Sequence, residues 1–232
     1  MTVLVITGTG TEVGKTIATA AVASAAVGQG RRVAVVKPAQ TGLQPGEPGD
    51  VDEVQRLVPA VDIAELYRYP DPLAPNTAAR RSGLPAPDLC VVVQRVRQLA
   101  TTHDLVLVEG AGGLLVGLDA AGHTLADLAL QLGDVSVLVV AAAALGTLNA
   151  TALTAEALAV RGLRCAGVVI GSWPATPDLA ERCNIEDLPP AAGAPLLGCL
   201  PERSGDLSPT AFAVVAQQWL HPDLGGSWLG GG

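Results

Sequence analysis

The sequence predicts an α/β domain in which a mostly parallel sheet is flanked by helices on both faces. Apolar, β-branched runs alternate with helical patterns along the whole chain, which is typical of parallel strands joined by helices. Such crossovers are right-handed, and ligands gather at the carboxyl ends of the strands. The predicted strands are residues 2–7, 32–37, 104–109, 135–141, 164–171 and 195–200, and the predicted helices are 15–28, 88–101, 124–132, 147–161, 176–187 and 208–220.

The first strand leads into a phosphate-binding loop. The apolar run TVLVIT is followed by GTGTEVGKT, from Gly8 to Thr16, and then by the alanine-rich helical segment IATAAVASAAVG. In such a loop the backbone N–H groups surround a phosphate, Lys15 reaches the β/γ oxygens and Thr16 ligates Mg²⁺. Five residues, rather than the usual four, separate Gly8 from the Gly-Lys pair. A glycine-rich turn with an incidental lysine is the alternative, but the strand, loop and helix context favours a P-loop NTPase fold.

The second strand, RVAVVK, ends in Lys37 and continues as PAQTG. A lysine there lies beside the site and can meet a phosphate or an anionic substrate, although a lysine snorkelling at the sheet edge remains an alternative. The segment 38–87 is rich in proline and glycine with only short helical pieces, and long loops of this kind are often functional. Within it, Asp50 is a candidate metal ligand, or a helix cap that forms a capping box with Glu53.

The third strand, DLVLVE, ends in Glu109, followed by Gly110, Ala111, Gly112 and Gly113. A carboxylate that ends a buried strand next to a P-loop suits a Mg²⁺-phosphate site, and the small residues allow a ligand to approach. A capping or core-paired glutamate is the alternative.

The last three strands also end in candidate binding segments. The fourth, VSVLVVA, is too short to span a bilayer, and Gly146 to Asn149 open the next helix, where free N–H groups bind a carboxylate or simply form an ordinary helix start. The fifth strand ends in Gly171-Ser172, where a nucleobase could rest, and the sixth in Leu200-Pro201-Glu202 at the same edge.

Composition narrows the possible functions. The 232 residues suit one α/β domain, which we expect to span residues 1–224 and to be followed by a disordered glycine-rich tail at 225–232. The net charge of −8 and the six aromatic residues argue against nucleic acid as a partner. Four cysteines without C-x-x-C spacing make a zinc site improbable and suggest reduced thiols in the cytoplasm. The N-terminal run lacks a basic leader, so no signal peptide and no membrane association are expected.

Taken together, these motifs resemble the dethiobiotin synthetases. The resemblance rests on GTGTEVGKT, KPAQTG, Asp50, VEGAGGLLV, GTLN and the strand-end Gly-Ser, in that order along the chain. It implies a fold related to the partition and nitrogenase-iron-protein ATPases, and a homodimer with the site at the subunit interface. It also implies an ATP-dependent cyclo-ligase that joins 7,8-diaminononanoate and CO₂ (or bicarbonate), through a carbamate and a carbamic-phosphoric anhydride, into the ureido ring of dethiobiotin.

The resemblance carries residue roles. Lys37 and Lys15 would be catalytic, and Thr16, Asp50 and Glu109 would hold Mg²⁺. Thr41 and, from the opposite subunit, Gly146, Thr147, Leu148 and Asn149 would bind substrate. ATP or another nucleoside triphosphate would contact Glu12, Val13, Gly14, Lys15, Thr16, Ile17, Asp50, Glu109, Gly110, Ala111, Gly112, Gly171, Ser172, Leu200, Pro201 and Glu202.

Three positions depart from the family pattern. Gly10 stands where Asp is usual, Ala150 replaces a His, and Gly171-Ser172 replaces a base-reading Asn-Asp pair, which leaves the preference among nucleotides open.

Two other functions share parts of this pattern. A partition-type ATPase switch usually has a lysine early in the P-loop, and here none precedes Lys15; residues 208–220 also lack the Lys and Arg of a basic membrane helix. A related amide-forming ligase domain is normally joined to a glutamine amidotransferase domain, for which this chain is too short.

Overall fold

The centre of the protein is a seven-stranded parallel sheet, seen in a computed structural model that describes residues 2–229. The strands lie in the order β4-β2-β6-β1-β7-β8-β9, with β3 and β5 forming a separate two-stranded sheet. The strand bounds are β1 Thr2–Gly8, β2 Val33–Lys37, β3 Gln40–Thr41, β4 Asp62–Glu65, β5 Arg68–Tyr69, β6 Leu105–Gly113, β7 Ser136–Ala141, β8 Arg164–Trp173 and β9 Leu196–Pro201.

Helices cover both faces of the sheet, as the alternating pattern predicts. The helix bounds are α1 Lys15–Gly28, α2 Asp50–Leu57, α3 Pro75–Ser82, α4 Leu89–Ala100, α5 Leu125–Leu132, α6 Thr147–Val160, α7 Leu179–Ala192 and α8 Pro209–Val215, with 3₁₀ turns at 204–206, 216–219 and 222–224. The predicted fold, a P-loop-type parallel sheet between two helical layers, is therefore confirmed.

Side chains that alternate along the strands form two separate cores. On β1, Val5 points into a core shared with α4, α5, α6 and α7, whereas Leu4 and Ile6 point into a core shared with α1, α2 and α8. Both faces of the central strands are thus buried, which is why their sequences are continuous apolar runs rather than alternating ones.

The pairing of the central strands places the carboxyl ends of β1, β2 and β6 side by side. Leu4 of β1 pairs with Leu107 of β6 on one side and with Ser136 of β7 on the other, while Leu107 also pairs with Val35 of β2. Because all of these pairs are parallel, the P-loop after β1, Lys37 at the end of β2 and Glu109 on β6 meet at one edge of the sheet.

Two predicted helices differ from the observed ones. Helix α7 runs over Leu179–Ala192 rather than 176–187, because Asp178 caps it by accepting from the Glu181 N–H at 2.8 Å. It continues through Pro189 and Pro190 in its last turns, where buried Leu188 packs in the core. The predicted helix 208–220 is α-helical only over Pro209–Val215 and then tightens into a 3₁₀ turn.

The segment 38–87 contains structure that its sequence concealed. It supplies edge strand β4, two eight-residue helices and the small β3–β5 sheet. Arg68 binds Glu65 through Nε and Nη2 at 2.6 and 2.8 Å and donates to the backbone carbonyls of Gln44 and Glu47. One arginine therefore joins the loop before α2 to strand β5.

The glycine-rich tail lies against the body over part of its length. The backbone N–H groups of Gly226, Ser227 and Trp228 donate to carbonyls of His221, Gln217 and Leu220 at 2.8–3.1 Å. These residues belong to the segment for which the sequence predicts disorder, and residues 230–232 of that segment lie outside the described residues. The end of the domain at residue 224 stays a prediction.

A membrane-spanning helix is absent from residues 2–229, where each helix is too short or too polar for that role.

We predict that Leu107→Ala lowers the free energy of unfolding by about 2–5 kcal/mol, because Leu107 is fully buried in the central strand pair. Denaturant titration of the purified protein measures this. Leu179→Ala, at a leucine that is 71% exposed, should change it by less than about 0.5 kcal/mol. Equal losses for the two variants would contradict the burial pattern.

Candidate active site

A cavity of about 730 Å³ opens at the carboxyl ends of β1, β2 and β6. It lies where open α/β sheets bind their ligands. Its walls come from the P-loop, the β2 end, the segment 38–87 and the β6 end. The lining residues are Thr11, Glu12, Gly14, Lys15, Thr16, Ile17, Lys37, Gln40, Thr41, Asp50, Pro72, Leu73, Ala74, Pro75, Glu109, Ala111, Gly112 and Val116.

The P-loop wraps around the N-terminus of α1. Gly14, the N-cap, has φ +89°, and Glu12 has φ +59°, a left-handed conformation that residues with a side chain rarely adopt. This backbone directs the free N–H groups of the first helical turn toward the cavity, which is the geometry that binds an anion. Left-handed residues of this kind concentrate at ligand sites.

Lys15 lies at the start of the same helix, with its ammonium turned toward the loop. Its Nζ donates to the carbonyl of Gly10 at 2.9 Å. Burial and the nearby Lys37 ammonium lower the pKa of Lys15, against the opposing pull of the Glu109 and Asp50 carboxylates. A bound phosphate would stabilise the charged Lys15 side chain, because its negative charge would offset the repulsion from Lys37.

Glu109 is buried and bonded through both carboxylate oxygens. Its Oε1 accepts from Lys37 Nζ at 2.9 Å and from Thr16 Oγ1 at 3.1 Å, and its Oε2 accepts from Thr19 Oγ1 at 2.8 Å. With only 1% of its surface exposed, Glu109 needs these partners because an unpaired buried carboxylate is costly. This geometry is compatible with both interpretations of Glu109, as a carboxylate paired in the core and as a residue of the site.

Lys37 is the cation between the two carboxylates. Its Nζ forms ion pairs with Glu109 and with Asp50 and also donates to the Gly110 carbonyl at 3.1 Å. Burial acts to lower the pKa of Lys37, but the Glu109 and Asp50 carboxylates outweigh it and raise that pKa. Since Lys37 is only 2% exposed, the snorkelling alternative is wrong.

Asp50 is the first residue of α2, not its cap. The cap is Gly49, whose N–H donates to Asp52 Oδ2 at 2.7 Å, so the expected Asp50–Glu53 capping box is wrong by one residue. The N–H of Asp50 donates to Gln40 Oε1 at 2.9 Å, which fixes the start of α2 against β3. The Asp50 carboxylate is thereby free to face Lys37.

Oxygen ligands suited to Mg²⁺ converge around Lys37. The Thr16 hydroxyl bonds Glu109, and Asp50 lies across the Lys37 ammonium from Glu109. Residues 2–229 hold no cluster of three or more His, Cys, Asp or Glu side chains able to bind a metal by themselves. Mg²⁺ at phosphate sites uses one or two carboxylates together with phosphate oxygens and water, so this sparse donor set fits it.

Part of the cavity wall is apolar. Pro72 and Leu73, which precede α3, and Pro75, its first residue, line this part together with Val116. Gly42 allows Pro72 to lie against β3, since a side chain at residue 42 would meet it. The sequence marked the segment 38–87 as functional but gave no signal for these particular residues, nor for Thr11 and Gln40.

The residues expected near a nucleobase lie outside this cavity. Gly171 packs directly on the P-loop: a Cβ there would overlap the Val13 carbonyl, and one at Gly14 would overlap the Gly171 carbonyl. Ser172, Pro201 and Glu202 are exposed, Leu200 is buried, and Val13 and Gly110 lie behind the cavity wall. Gly171 is thus a packing residue, and any role of this group in base binding stays a prediction.

The Gly146–Asn149 segment is also separate from the cavity of its own chain. Gly146, with φ +95°, caps α6, and Asn149 borders a second groove of about 380 Å³ with Leu115 and Val116. Leu145 and Leu153 beside it are 86% and 58% exposed. None of the four residues of the segment lines the cavity, and the groove at Asn149 borders the start of the P-loop at Gly8 and Thr9.

Comparison with known proteins identifies close relatives of this chain. A family model described as an AAA domain matches residues 2–209. The ATP-dependent dethiobiotin synthetase of Streptomyces avermitilis is 62% identical, with 98% of this chain and 95% of that protein aligned. The enzyme of the same name from Saccharopolyspora erythraea is 61% identical, with 98% and 99% aligned.

Solved structures show the same fold at low identity. The cell division ATPase MinD of Pyrococcus furiosus gives a TM-score of 0.59 at 19% identity, covering 94% of this chain and 98% of that one. MinD of Pyrococcus horikoshii, solved with Mg-ADP, also gives 0.59, at 18% identity and 94% and 95% coverage. At these identities the likeness concerns the fold alone.

We predict that Gly171→Ala weakens nucleotide binding about tenfold. The added Cβ would displace the P-loop backbone at Val13 and Gly14, and overpacking of this kind costs about 1–3 kcal/mol. Gly10→Ala is the matched control, because a Cβ at residue 10 meets nothing within 4 Å. Titration with a fluorescent nucleotide analogue measures both, and unchanged affinity of Gly171→Ala would show that the loop does not depend on β8.

Proposed function

Because the chain belongs to the ATP-dependent dethiobiotin synthetase family, whose members are ligases of biotin biosynthesis, we propose that it closes the ureido ring of dethiobiotin from 7,8-diaminononanoate and CO₂. The observation that supports this best is the convergence of Lys15, Lys37, Asp50 and Glu109 beside a P-loop. This arrangement offers two cations and two carboxylates to one cavity. It suits a reaction in which an anionic derivative of carbonic acid, such as a carbamate, attacks a nucleoside triphosphate.

The proposed reaction has three bond-forming steps. One amine of the substrate adds to CO₂ and releases a proton, giving a carbamate. The carbamate oxygen then attacks the γ-phosphorus of ATP, which forms a carbamic-phosphoric anhydride and releases ADP. The second amine attacks the anhydride carbonyl and loses a proton to the solvent, so that the C–O bond to phosphate breaks, the ring closes and inorganic phosphate leaves.

The protein's contribution to these steps is to position charges. Lys37, held at the end of β2, would face the carbamate, and Lys15 would exchange its bond to the Gly10 carbonyl for the transferring phosphoryl group. Two ammonium groups offset the repulsion between the carbamate and the triphosphate. Phosphoryl transfer gains most from such positioning, since its transition state demands little covalent chemistry from the protein.

The residues that would hold Mg²⁺ are Thr16, Asp50 and Glu109. When bound, Mg²⁺ would neutralise charge on the β- and γ-phosphate oxygens. The Thr16 hydroxyl already bonds Glu109 Oε1 at 3.1 Å, and Asp50 is held at the start of α2 by the Gln40 amide oxygen.

The apolar wall suits the hydrocarbon part of the substrate. Pro72, Leu73, Pro75 and Val116 line the same cavity as the charged groups, and Thr41 lines it too. Burial of methylene groups stabilises binding by roughly 0.8 kcal/mol for each. The chain of 7,8-diaminononanoate would therefore extend along this wall, with its two amines toward Lys37 and Thr41.

The substrate carboxylate would be bound by a second copy of the chain. Gly146–Asn149 at the N-terminus of α6 lie outside the cavity of their own subunit, beside the exposed Leu145 and Leu153. Free N–H groups at this helix start bind a carboxylate, and the exposed leucines supply an apolar surface for a partner. We therefore place the complete site at the interface of a homodimer.

The nucleoside would extend from the P-loop toward Ile17 and the turn after β9. Gly205 in that turn packs against Ile17, and Arg56 binds the Gly205 and Leu207 carbonyls, which holds the turn beside α1. Gly171 carries no side chain to read a base, so the choice among nucleotides stays open. We place the reaction in the cytoplasm, where Cys90, Cys165, Cys183 and Cys199 would stay free, as the structure shows them.

The first prediction from this proposal concerns coupling of phosphate release to ring closure. Purified protein with Mg²⁺ and ATP should release phosphate and form ring-closed product, identified by its mass, only when 7,8-diaminononanoate and bicarbonate are both present. Repeating the assay with CTP and GTP tests nucleotide choice. ATP hydrolysis that is indifferent to the diamine would reject the proposal and favour another ligase or an ATPase switch.

The second prediction concerns the shared site. Lys37→Ala and Asn149→Asp should each lose most activity, the first by removing the ammonium at the carbamate and the second by repelling the substrate carboxylate. When the two variants are mixed under conditions that allow subunit exchange, the mixture should recover about a quarter of the activity of the unchanged protein. About half of the dimers then contain one subunit of each variant, and each of these dimers has one intact site.

The control for this experiment mixes Lys37→Ala with Glu109→Gln. These two residues lie in the cavity of one subunit, so each site of a mixed dimer carries a defect and no recovery is expected. Recovery in neither mixture would contradict the interface site while leaving the reaction itself standing.

A further inference from the structure

Thr19 is a buried polar residue beside the site that the proposed reaction does not use. It lies one turn after Lys15 on α1, with no exposed surface. Its Oγ1 lies 2.8 Å from Glu109 Oε2 and 2.9 Å from the backbone carbonyl of Lys15. Nothing in the sequence pattern distinguished it from the other small residues of this alanine-rich helix.

The Thr19 hydroxyl has one proton and two acceptors within reach. The Lys15 carbonyl stands four residues earlier in the helix, where it is the ordinary acceptor of the Thr19 backbone N–H. The carboxylate oxygen is the stronger acceptor of the two, because hydrogen bonds to ionised acceptors are about twice as strong as those to neutral ones. We infer that the hydroxyl donates to Glu109.

Glu109 uses its two oxygens differently. Oε1 accepts from Lys37 and Thr16, both of which line the cavity. Among residues 2–229, Thr19 of α1 is the one side-chain donor to Oε2. We propose that Thr19 is a positioning residue: by holding Oε2, its hydroxyl aims Oε1 at the place where Thr16 and Asp50 would share Mg²⁺.

This inference rests on the proposed Mg²⁺-nucleotide site and adds a requirement to it. Without the hydroxyl, Oε2 would be a buried acceptor with no donor, which is costly. The carboxylate would then rotate about its terminal bond, and this rotation would draw Oε1 away from the metal position. The effect should fall on Mg²⁺-dependent binding, because Thr19 does not line the cavity that would hold the nucleotide.

The test compares Thr19→Ser with Thr19→Ala, which differ by the hydroxyl alone, and adds Thr19→Val as the near-isosteric change. For each variant, the dissociation constant of a fluorescent ATP analogue is measured with EDTA and then with a series of Mg²⁺ concentrations. The ratio of the two affinities reports Mg²⁺ linkage without any turnover. Thermal unfolding of each variant confirms that the protein is folded at the assay temperature.

We expect Thr19→Ala and Thr19→Val to lose roughly tenfold to a hundredfold of the Mg²⁺ linkage, as is typical when a residue that orients a metal ligand is removed. Binding in EDTA should stay near that of the unchanged protein. Thr19→Ser should keep the linkage. Should the valine variant fail to fold, the serine–alanine pair decides the question.

Thr151→Val is the matched control. Thr151 is also fully buried in a helix, and its Oγ1 has no hydrogen-bond partner among the described residues, so removing the hydroxyl should leave Mg²⁺ linkage unchanged. Equal linkage in all Thr19 variants would overturn the positioning role, as would a loss in Thr19→Ser as large as in Thr19→Ala. If the unchanged protein itself binds nucleotide equally with Mg²⁺ and EDTA, then the proposed metal site fails and the inference fails with it.

Discussion

The burial of Lys37 between Glu109 and Asp50 is the constraint on which the rest of the site depends. An ammonium that is 2% exposed requires compensation, because desolvation of a charge costs several kcal/mol. Glu109 comes from the strand beside Lys37 in the sheet, whereas Asp50 comes from a helix thirteen residues along the chain in the long excursion after β2. Lys37 therefore links the central sheet to the excursion after β2. Glu109 extends this link to the P-loop helix, because it also accepts a hydrogen bond from Thr16.

That dependence explains why the excursion is ordered around α2. Three hydrogen bonds hold the start of α2 at residue 50, where Asp50 faces Lys37. The Gly49 carbonyl accepts the Glu53 N–H, Asp52 accepts the Gly49 N–H, and Gln40 accepts the Asp50 N–H. Arg68 then joins the preceding loop to β5. These hydrogen bonds position the Asp50 carboxylate beside Lys37. A shorter loop after β2 would not supply that carboxylate.

The sequence predicted those parts of the molecule that local chemistry determines. The apolar runs identified six of the seven strands of the central sheet, and Gly14-Lys15-Thr16 placed the start of α1 correctly because a glycine at the cap and an alanine-rich run leave little choice. Strand β4, with the sequence DIAE, was missed since a four-residue edge strand carries too few apolar positions to be recognised. The charged residues were predicted individually, but their pairing was not, because it depends on strand order. Thr19 and the Pro72–Pro75 wall matter only through contacts to distant segments.

Fold alone does not determine what such a site does. Chains that share less than a fifth of their residues with this one adopt the same fold, so the fold by itself does not determine an activity. What narrows the chemistry is the charge distribution at the strand ends. Two ammonium groups and two carboxylates share the cavity with apolar residues, a combination that the proposed reaction between two anions on a hydrocarbon substrate would use. Simple hydrolysis of a nucleotide would need neither Lys37 in this buried setting nor those apolar residues, whereas joining a carbamate to a phosphoryl group on an aliphatic substrate would use both.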